Sequence, residues 1–391
     1  MSDIDPTPAG HARDLVFRGK QAEAVAQCSQ ALAQRGLAPQ DRLALLDVRS
    51  DALFAQGLLI DALTDADAML QAARRLRGAA AQARAQCARA QVLSRMGRLP
   101  ELLDASAAAL KLARRTSDPA LHALALLRRS DSLYRSQRGS GVAEAQAALA
   151  IYAGLGDLSG SARAGSQLAW VQGLVGAMQA ARETARQAIA DARACADERA
   201  LGAALNALTS TQTDLAARLR GYQQAAEAYG RAGQMPGRLA VQGNLAHLFG
   251  ALGLHGHAQR LRQQCAGDLR RLAFYPLLAG IITNAAVAAI KARELPEAQR
   301  LIDAYAALLK DYADPNAEHT LNVGRGMLAL AQGRSKEAVV HLQAAQRAQG
   351  PEALGFQRVI TQTLLAEALL ACGRPRLALA ASRQGDRKSV V

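Results

Sequence analysis

A block of helix, tight turn and second helix recurs about every forty residues, and such a period restricts the chain to a repeat architecture. The turn usually contains glycine, and an acidic or polar residue followed by alanine opens the second helix. Clear examples are Gly19 before Glu23-Ala24 and Gly57 before Asp61-Ala62. Turns near positions 19, 57, 97, 139, 176, 216, 253, 293, 333 and 373 predict about ten helical hairpins.

The residues between these turns favour helix and disfavour strand. Apolar residues recur at helical spacing, as in Leu245, Leu248, Phe249 and Leu252. Runs in which β-branched and polar residues alternate are scarce, so a β-rich fold is excluded. Half of the residues are hydrophobic, which suffices for a large core, although only 3% are aromatic. The sequence therefore predicts an all-α protein.

The repeated block resembles the tetratricopeptide repeat. The matching features are the glycine late in the first helix, the Glu/Asp-Ala that opens the second helix, and a large residue further on, shown by Tyr152 and Tyr229. The standard period is 34 residues, whereas the period here is nearer 40. This longer period is similar to that of kinesin light chains and of bacterial regulators related to the maltose-regulon activator. The resemblance covers almost the whole chain.

The resemblance implies a right-handed α-solenoid of about ten such hairpins over residues 11–385. Residues 1–10 are expected to form a disordered N-terminus. In tetratricopeptide arrays the first helix of each hairpin lines the concave surface, so a protein or peptide ligand is expected there. Several weak contacts over adjacent repeats would together supply the affinity.

A polar register in the predicted first helices is the main functional signal. Asn244 and Asn284 each lie nine residues before their turn, and four further residues occupy or approach that register: Asn206, Asn322, Gln167 and Ser130. A side-chain amide can donate to and accept from the backbone of an extended peptide. A similar asparagine in kinesin light-chain repeats does so, and the resemblance implies the same role here. The alternative is that these amides bond within or between helices. Val48 and Ala88 hold the register in early hairpins, which limits the predicted ladder to the middle and C-terminal half.

The net charge of +14 raises a second possibility, association with nucleic acid. The basic residues form no arm, however, and one Trp, seven Tyr and five Phe are few for a base-stacking platform. A solvated basic surface is the better explanation of the charge. Nucleic acid is therefore kept as the second alternative to a protein or peptide ligand.

No enzyme or cofactor motif is recognisable. Residues 324–329, Gly-Arg-Gly-Met-Leu-Ala, match a loose dinucleotide fingerprint, but that motif requires a preceding strand. His255 and His257 lie near Cys265, yet no fourth metal ligand is evident. We expect no catalytic residues, no metal and no cofactor within these residues.

Cysteine usage and the N-terminal sequence favour a cytoplasmic protein. The five cysteines are odd in number and widely spaced, and no signal peptide is recognisable. The most apolar stretch, from Leu277 to Ile290, is too short to span a bilayer. No membrane partner is therefore expected.

The C-terminal sequence stops in the middle of a predicted second helix, without the polar capping helix that a solenoid needs. Residues 386–391, Asp-Arg-Lys-Ser-Val-Val, correspond to the translation of a common sequencing-library adapter, so we expect a non-native tail. This motivates the hypothesis of a sensory or scaffolding N-terminal part of a bacterial signalling protein, followed by a cyclase, kinase or helix-turn-helix domain. The alternative is a complete, freestanding tetratricopeptide adaptor.

Overall fold

The computed structural model describes residues 7–136, 139–312, 314, 316–349 and 355–386. These residues form twenty α-helices and no strand, so the predicted all-α class is confirmed. The helices are α1 Pro8–Phe17, α2 Gln21–Leu32, α3 Pro39–Ala55, α4 Leu59–Arg75, α5 Ala79–Met96, α6 Leu99–Ala113, α7 Pro119–Arg135, α8 Val142–Gly154, α9 Leu158–Leu174, α10 Met178–Ala194, α11 Glu198–Ser210, α12 Leu215–Arg231, α13 Met235–Ala251, α14 His255–Arg271, α15 Tyr275–Lys291, α16 Leu295–Leu308, α17 Ala317–Ala331, α18 Ser335–Ala348, α19 Gly355–Ala371 and α20 Pro375–Asp386.

The helices of the described residues pair into ten consecutive hairpins, and nine of the ten predicted turns fall between the two helices of a pair. Glycine supplies the left-handed conformation in most of them, for example Gly57 with φ 80°. The eighth hairpin lacks this glycine, and Arg293 adopts φ 62° in its place. Because a side chain crowds the backbone in this region, Arg293 is held there at an energetic cost.

The sixth hairpin turns slightly earlier than predicted. Its turn occupies residues 211–214, and Ala216 already belongs to α12. Asp214 caps α12, because its carboxylate oxygens accept from the backbone N–H groups of Ala216 and Ala217 at 3.2 and 3.0 Å. An aspartate cap thus begins this second helix where other hairpins have a glycine turn.

Alanines near the start of the second helices form the tightest packing positions. Ala62, Ala145, Ala298 and Ala338 are each 0% exposed. A methyl side chain lets two helix backbones approach closely, which larger residues would prevent. The alanine that opens these second helices is therefore a buried packing position in the structure.

The chain divides into two compact units. Unit 1 comprises Met1–Leu248 and Asp268–Phe274, and unit 2 comprises Phe249–Gly267 and Tyr275–Val391. Within the described part of unit 1, the first helices of successive hairpins (α1, α3, α5, α7, α9 and α11) contact one another, whereas the second helices do not. The first helices therefore lie on the concave side of unit 1. In unit 2 the first helices α15, α17 and α19 contact one another in the same way.

Unit 1 also curls back on itself, so that its first hairpin meets the segment between α12 and α13. Gln21 Nε2 donates to the carbonyl oxygens of Val16 at 3.1 Å and Ala232 at 2.9 Å. Gly19 lies so near this segment that a Cβ added to it would be 2.0 Å from the carbonyl oxygen of Arg231. The hydrogen bond between Gln21 and Ala232 joins residues that are 211 positions apart in the chain.

The described ends of the chain are helical. Helix α1 begins at Pro8, and Thr7 Oγ1 accepts from the backbone N–H of Gly10 at 3.0 Å. Helix α20 ends at Asp386, and residues 1–6 and 387–391 lie outside the described residues. None of the described helices combines the length and apolar character needed to cross a membrane. The five cysteines, all within the described residues, form no disulfide.

Candidate functional site

Polar side chains join three successive hairpins across the concave side of unit 1. We call this surface, formed by α3, α5, α7, α9 and α11, the inner face. Gln91 on α5 donates from Nε2 to Asp51 Oδ1 on α3 at 2.9 Å. Arg128 on α7 donates from Nη2 to Gln91 Oε1. The three side chains form a continuous line of hydrogen bonds between neighbouring first helices.

The same aspartate also pairs with an arginine from a distant part of unit 1. Arg199, near the start of α11, places Nη1 3.0 Å from Asp51 Oδ1 and 3.1 Å from Oδ2. Its guanidinium carbon lies 5.7 Å from the centroid of the Phe54 ring, within the range of a cation–π interaction. The second and sixth hairpins therefore meet across the inner face.

A second charged cluster lies around Asp131 on α7. Its carboxylate accepts from Ser94 Oγ on α5 and from Arg135 Nε at 2.9 Å. The Arg135 guanidinium stacks against Tyr134 at 5.0 Å from the ring centroid. Burial raises the pKa of Tyr134 to about 12, so its hydroxyl stays protonated at neutral pH.

Neighbouring arginines keep both of these aspartates ionised. Burial is the largest single effect and acts to raise the pKa of Asp51, but the charge of Arg199, the hydrogen bonds from Gln91 and Arg199 and the charge of Arg128 together outweigh it, and the pKa is lowered. Burial is likewise opposed at Asp131 by the charges of Arg135 and Arg95, and its pKa is also lowered. Both aspartates are therefore ionised at neutral pH, and each is paired with an arginine.

The charged forms of two arginines on this face are destabilised by their surroundings. Burial lowers the pKa of Arg95, and the like charge of Arg135 lowers it further. Burial also lowers the pKa of Arg128, where the charge of Arg199 acts in the same direction. Both side chains remain positively charged at neutral pH because arginine starts from so high a pKa.

Four of the six residues predicted to line a peptide groove meet in pairs. Asn244 Nδ2 on α13 donates to Asn206 Oδ1 on α11 at 3.0 Å. Gln167 Nε2 on α9 points to Ser130 Oγ on α7 at 3.4 Å, and Ser130 is fully buried. Each pair connects two consecutive first helices, as their shared register implies.

The other two predicted residues belong to unit 2 and are not brought into such pairs by the described contacts. Asn284 on α15 is exposed. Asn322 on α17 donates to the carbonyl oxygen of Glu318 at 2.9 Å, and its Oδ1 lies 3.1 Å from His341 Nδ1. The amide of Asn322 is thus engaged within its own hairpin.

The predicted ladder is limited to the middle and C-terminal hairpins, but hydrogen-bonded polar side chains also lie on the first helices of the early hairpins, in a neighbouring register. Asp51 and Gln91 lie three residues after Val48 and Ala88, which is one helical turn along the same face. Each stands six residues before its turn glycine, so a search of the neighbouring register could have found them. Arg199 belongs to no polar register that recurs between hairpins, so the sequence pattern did not indicate it.

The two weak sequence motifs have structural explanations. Residues 324–329 lie inside α17, and Gly326 packs against Leu342 so closely that an added Cβ would be 2.6 Å from its Cγ. His255 and His257 are exposed, whereas Cys265 is buried. Among the described residues, no group of three His, Cys, Asp or Glu side chains could hold a metal ion.

Comparisons of the fold identify helical-repeat proteins. A Rap protein complexed with competence and sporulation factor shares 11% sequence identity and superposes with a TM-score of 0.58, covering 97% of this chain and 98% of that one. Aspartyl phosphate phosphatase F from Bacillus subtilis shares 12% identity with a TM-score of 0.51, covering 90% and 96%. The chain thus has the architecture of tetratricopeptide-type helical repeats.

The sequence itself is dissimilar to characterised families. No protein-family model matches it, and no curated protein does. The likeness to the two solved structures is therefore a likeness of fold.

Proposed function

We propose that this chain is a protein- or peptide-binding helical-repeat regulator whose ligand lies along the inner face of unit 1. The observation that carries the proposal is the line of half-buried polar groups from Asp51 through Gln91 to Arg128. Helix packing alone does not require such groups on one face of successive helices, and burying them costs free energy. An extended peptide, by contrast, presents N–H and C=O groups along its length that need partners.

The amide pair at the end of this face supports the same ligand. The bond between Asn244 and Asn206 uses one donor and one carbonyl oxygen. Each amide has two donors and a carbonyl with two lone pairs, so both retain capacity for a peptide backbone. A bound strand could therefore contact the two side chains without breaking their mutual hydrogen bond.

The fold comparison supports a regulatory role. The Rap protein was solved with competence and sporulation factor bound, and its fold extends over almost all of this chain. We therefore assign to this chain a sensory or scaffolding role in bacterial signalling, within the cytoplasm. The array acts in this proposal by binding, without catalysis.

Affinity selection tests the proposal directly. The full chain is incubated with a pool of random-sequence decapeptides, separated by size exclusion, and the retained peptides are identified and then titrated singly. We expect Gln91→Ala to weaken their binding about tenfold, because one hydrogen-bonding group of the inner face is lost. The matched control is Gln187→Ala on α10, an exposed glutamine that bonds only within its own helix to Asp191 at 2.8 Å.

The control should bind the selected peptides as the unaltered chain does. If no peptide is retained, or if both variants bind equally well, the inner face of unit 1 is not the ligand site.

A further inference from the structure

Arg128 on the inner face is incompletely paired. Its Nε atom is buried and has no hydrogen-bond partner among the described residues. Its Nη2 donates to the side-chain carbonyl of Gln91, which is a neutral group. The charged acceptor that a buried guanidinium ordinarily requires is therefore missing.

Arg95, which lies one hairpin earlier on α5, is in a similar position. Within the described residues its side chain makes no hydrogen bond and no ion pair, although the charge of Asp131 acts on it. The nearby carboxylate of Asp131 is already engaged by Ser94 and Arg135. The positive charge of Arg95 thus has no carboxylate of its own.

Another arginine of unit 1 shows what full pairing looks like. Arg49 donates from Nε and Nη2 to the two carboxylate oxygens of Asp65, both at 2.7 Å, and from Nη1 to Ser29 Oγ at 3.1 Å. The two carboxylate bonds form the planar, two-point geometry that guanidinium and carboxylate groups favour. Arg49 lies between α3 and α4 of one hairpin, whereas Arg95 and Arg128 belong to the inner face.

Half-buried cations without a hydrogen-bonded carboxylate mark a place for an anion from outside. Burial removes water from the guanidinium groups, and the like charges of Arg135 and Arg199 add repulsion; the charges of Asp131 and Asp51 do not cancel these costs, so both pKa values stay lowered. An incoming carboxylate would offset both costs, since it supplies negative charge and accepts two N–H bonds.

We infer that Arg95 and Arg128 bind carboxylate groups of the ligand, so that the inner face selects an acidic peptide. The inference rests on the proposed function and specifies its ligand chemistry. The carboxylate belongs either to Asp and Glu side chains or to the peptide C-terminus. Arg128 Nε and the Nη2 hydrogen that Gln91 does not accept are the two donors offered to one carboxylate.

The test extends the affinity selection to paired peptides. Each retained decapeptide is synthesised with its acidic residues, with the matching amides Asn and Gln, and with a free or amidated C-terminus. For the unaltered chain we expect the acidic form to bind about tenfold more tightly than the amide form. A preference that vanishes on amidation of the C-terminus instead assigns the carboxylate to the chain end.

The arginine variants connect this preference to the two residues. Arg95→Gln and Arg128→Gln should each bring the two forms to within about twofold of each other. The charge-matched control is Arg74→Gln at the exposed end of α4, which should keep the full preference. Circular dichroism and melting temperature establish that every variant is folded, and the comparison of peptide forms on the unaltered chain needs no variant.

The outcomes separate the two proposals. Retained peptides without a preference for carboxylates overturn the inference and leave the proposed function standing. The same holds if the preference survives in both arginine variants. A chain that retains no peptide overturns the proposed function and the inference together.

Discussion

Arg199 and Asp51 are 148 positions apart in the chain, yet Arg199 Nη1 lies within 3.1 Å of both Asp51 carboxylate oxygens. The contact joins α11 to α3 across the inner face of unit 1. Gln91 bonds to the same carboxylate, so one aspartate links three hairpins. A ligand on the inner face would lie beside this bridge.

Breaking the bridge should loosen α11. Arg199→Met and Asp51→Asn should each lower the free energy of opening of α11 by about 1 kcal/mol, and the double variant should add little. Native-state hydrogen exchange of α11 measures this. The control is Glu198→Gln on the same helix, whose pair with Arg231 at 2.9 Å is exposed and should matter little. Fully additive losses in the double variant would contradict the bridge.

Acid should destabilise unit 1 through Asp51 and Asp131. Both have pKa values below the ordinary value, so they bind protons more weakly in the folded state than in the unfolded state. Their contribution is complete above the unfolded pKa of about 4 and is lost as the pH falls through the folded pKa. Melting temperatures below pH 4 should therefore fall less steeply in Asp51→Asn/Asp131→Asn than in the unaltered chain.

Asp47 provides a comparison, because its pKa is shifted in the opposite direction. Burial raises its pKa despite the pairing with Arg84 at 3.2 Å, so its ionisation costs stability as the pH rises. Asp47→Asn should leave the acid-side decline intact. An equal flattening in both variants would show that the effect is not specific to Asp51 and Asp131, and an unchanged decline in Asp51→Asn/Asp131→Asn would assign it to other carboxylates.

Adding a methyl group at Gly19, where the first hairpin packs against the segment between α12 and α13, should lower the free energy of unfolding. Gly19 and Gly176 have φ values of 77° and 86°, so alanine costs about 1 kcal/mol of backbone strain at either position. At Gly19 the new Cβ also meets the carbonyl oxygen of Arg231, whereas nothing lies within 4 Å at Gly176. We expect Gly19→Ala to lose about 1–3 kcal/mol more than Gly176→Ala.

Urea unfolding followed by circular dichroism compares the two glycine variants. Equal losses would indicate that the first hairpin does not pack against the α12–α13 segment in solution.

The pair between Arg49 and Asp65 should be the strongest single ion pair of the second hairpin. The Asp65 side chain is 7% exposed, and Asp65→Ala would leave Arg49 half-buried without its carboxylate. We expect a loss of about 3 kcal/mol in urea unfolding. Asp268→Ala removes the corresponding partner from the exposed Arg271 pair and should cost less than about 0.5 kcal/mol. Similar losses would argue against the bidentate geometry at Asp65.

The fold could be predicted because its determinants are local and repeated. Turn glycines such as Gly57 and close-packed alanines such as Ala62 recur in most hairpins and mark their two helices. The sixth turn was predicted slightly too late in the chain, because there an aspartate cap, Asp214, marks the start of the second helix in place of a turn glycine. A search for recurring glycines gives little weight to such an aspartate.

The candidate site could be predicted only in part. Asn206 and Asn244 share nearly one register on adjacent first helices, so their contact follows from the repeat. The contact of Arg199 with Asp51 depends instead on small rotations summed over four hairpins. No short segment of sequence encodes that sum, and the bridge is therefore visible only in the structure.

The amide pair distinguishes a ligand-binding role from a structural one. Asn244→Ala should weaken the binding of a peptide selected on the unaltered chain by about 1 kcal/mol, because one backbone partner is lost. Asn322→Ala is the matched control, since that amide is already engaged by Glu318 and His341 within its hairpin. Isothermal titration of both variants gives the comparison. If Asn244→Ala lowers the melting temperature but leaves peptide affinity unchanged, the asparagine pair serves only to hold α11 against α13.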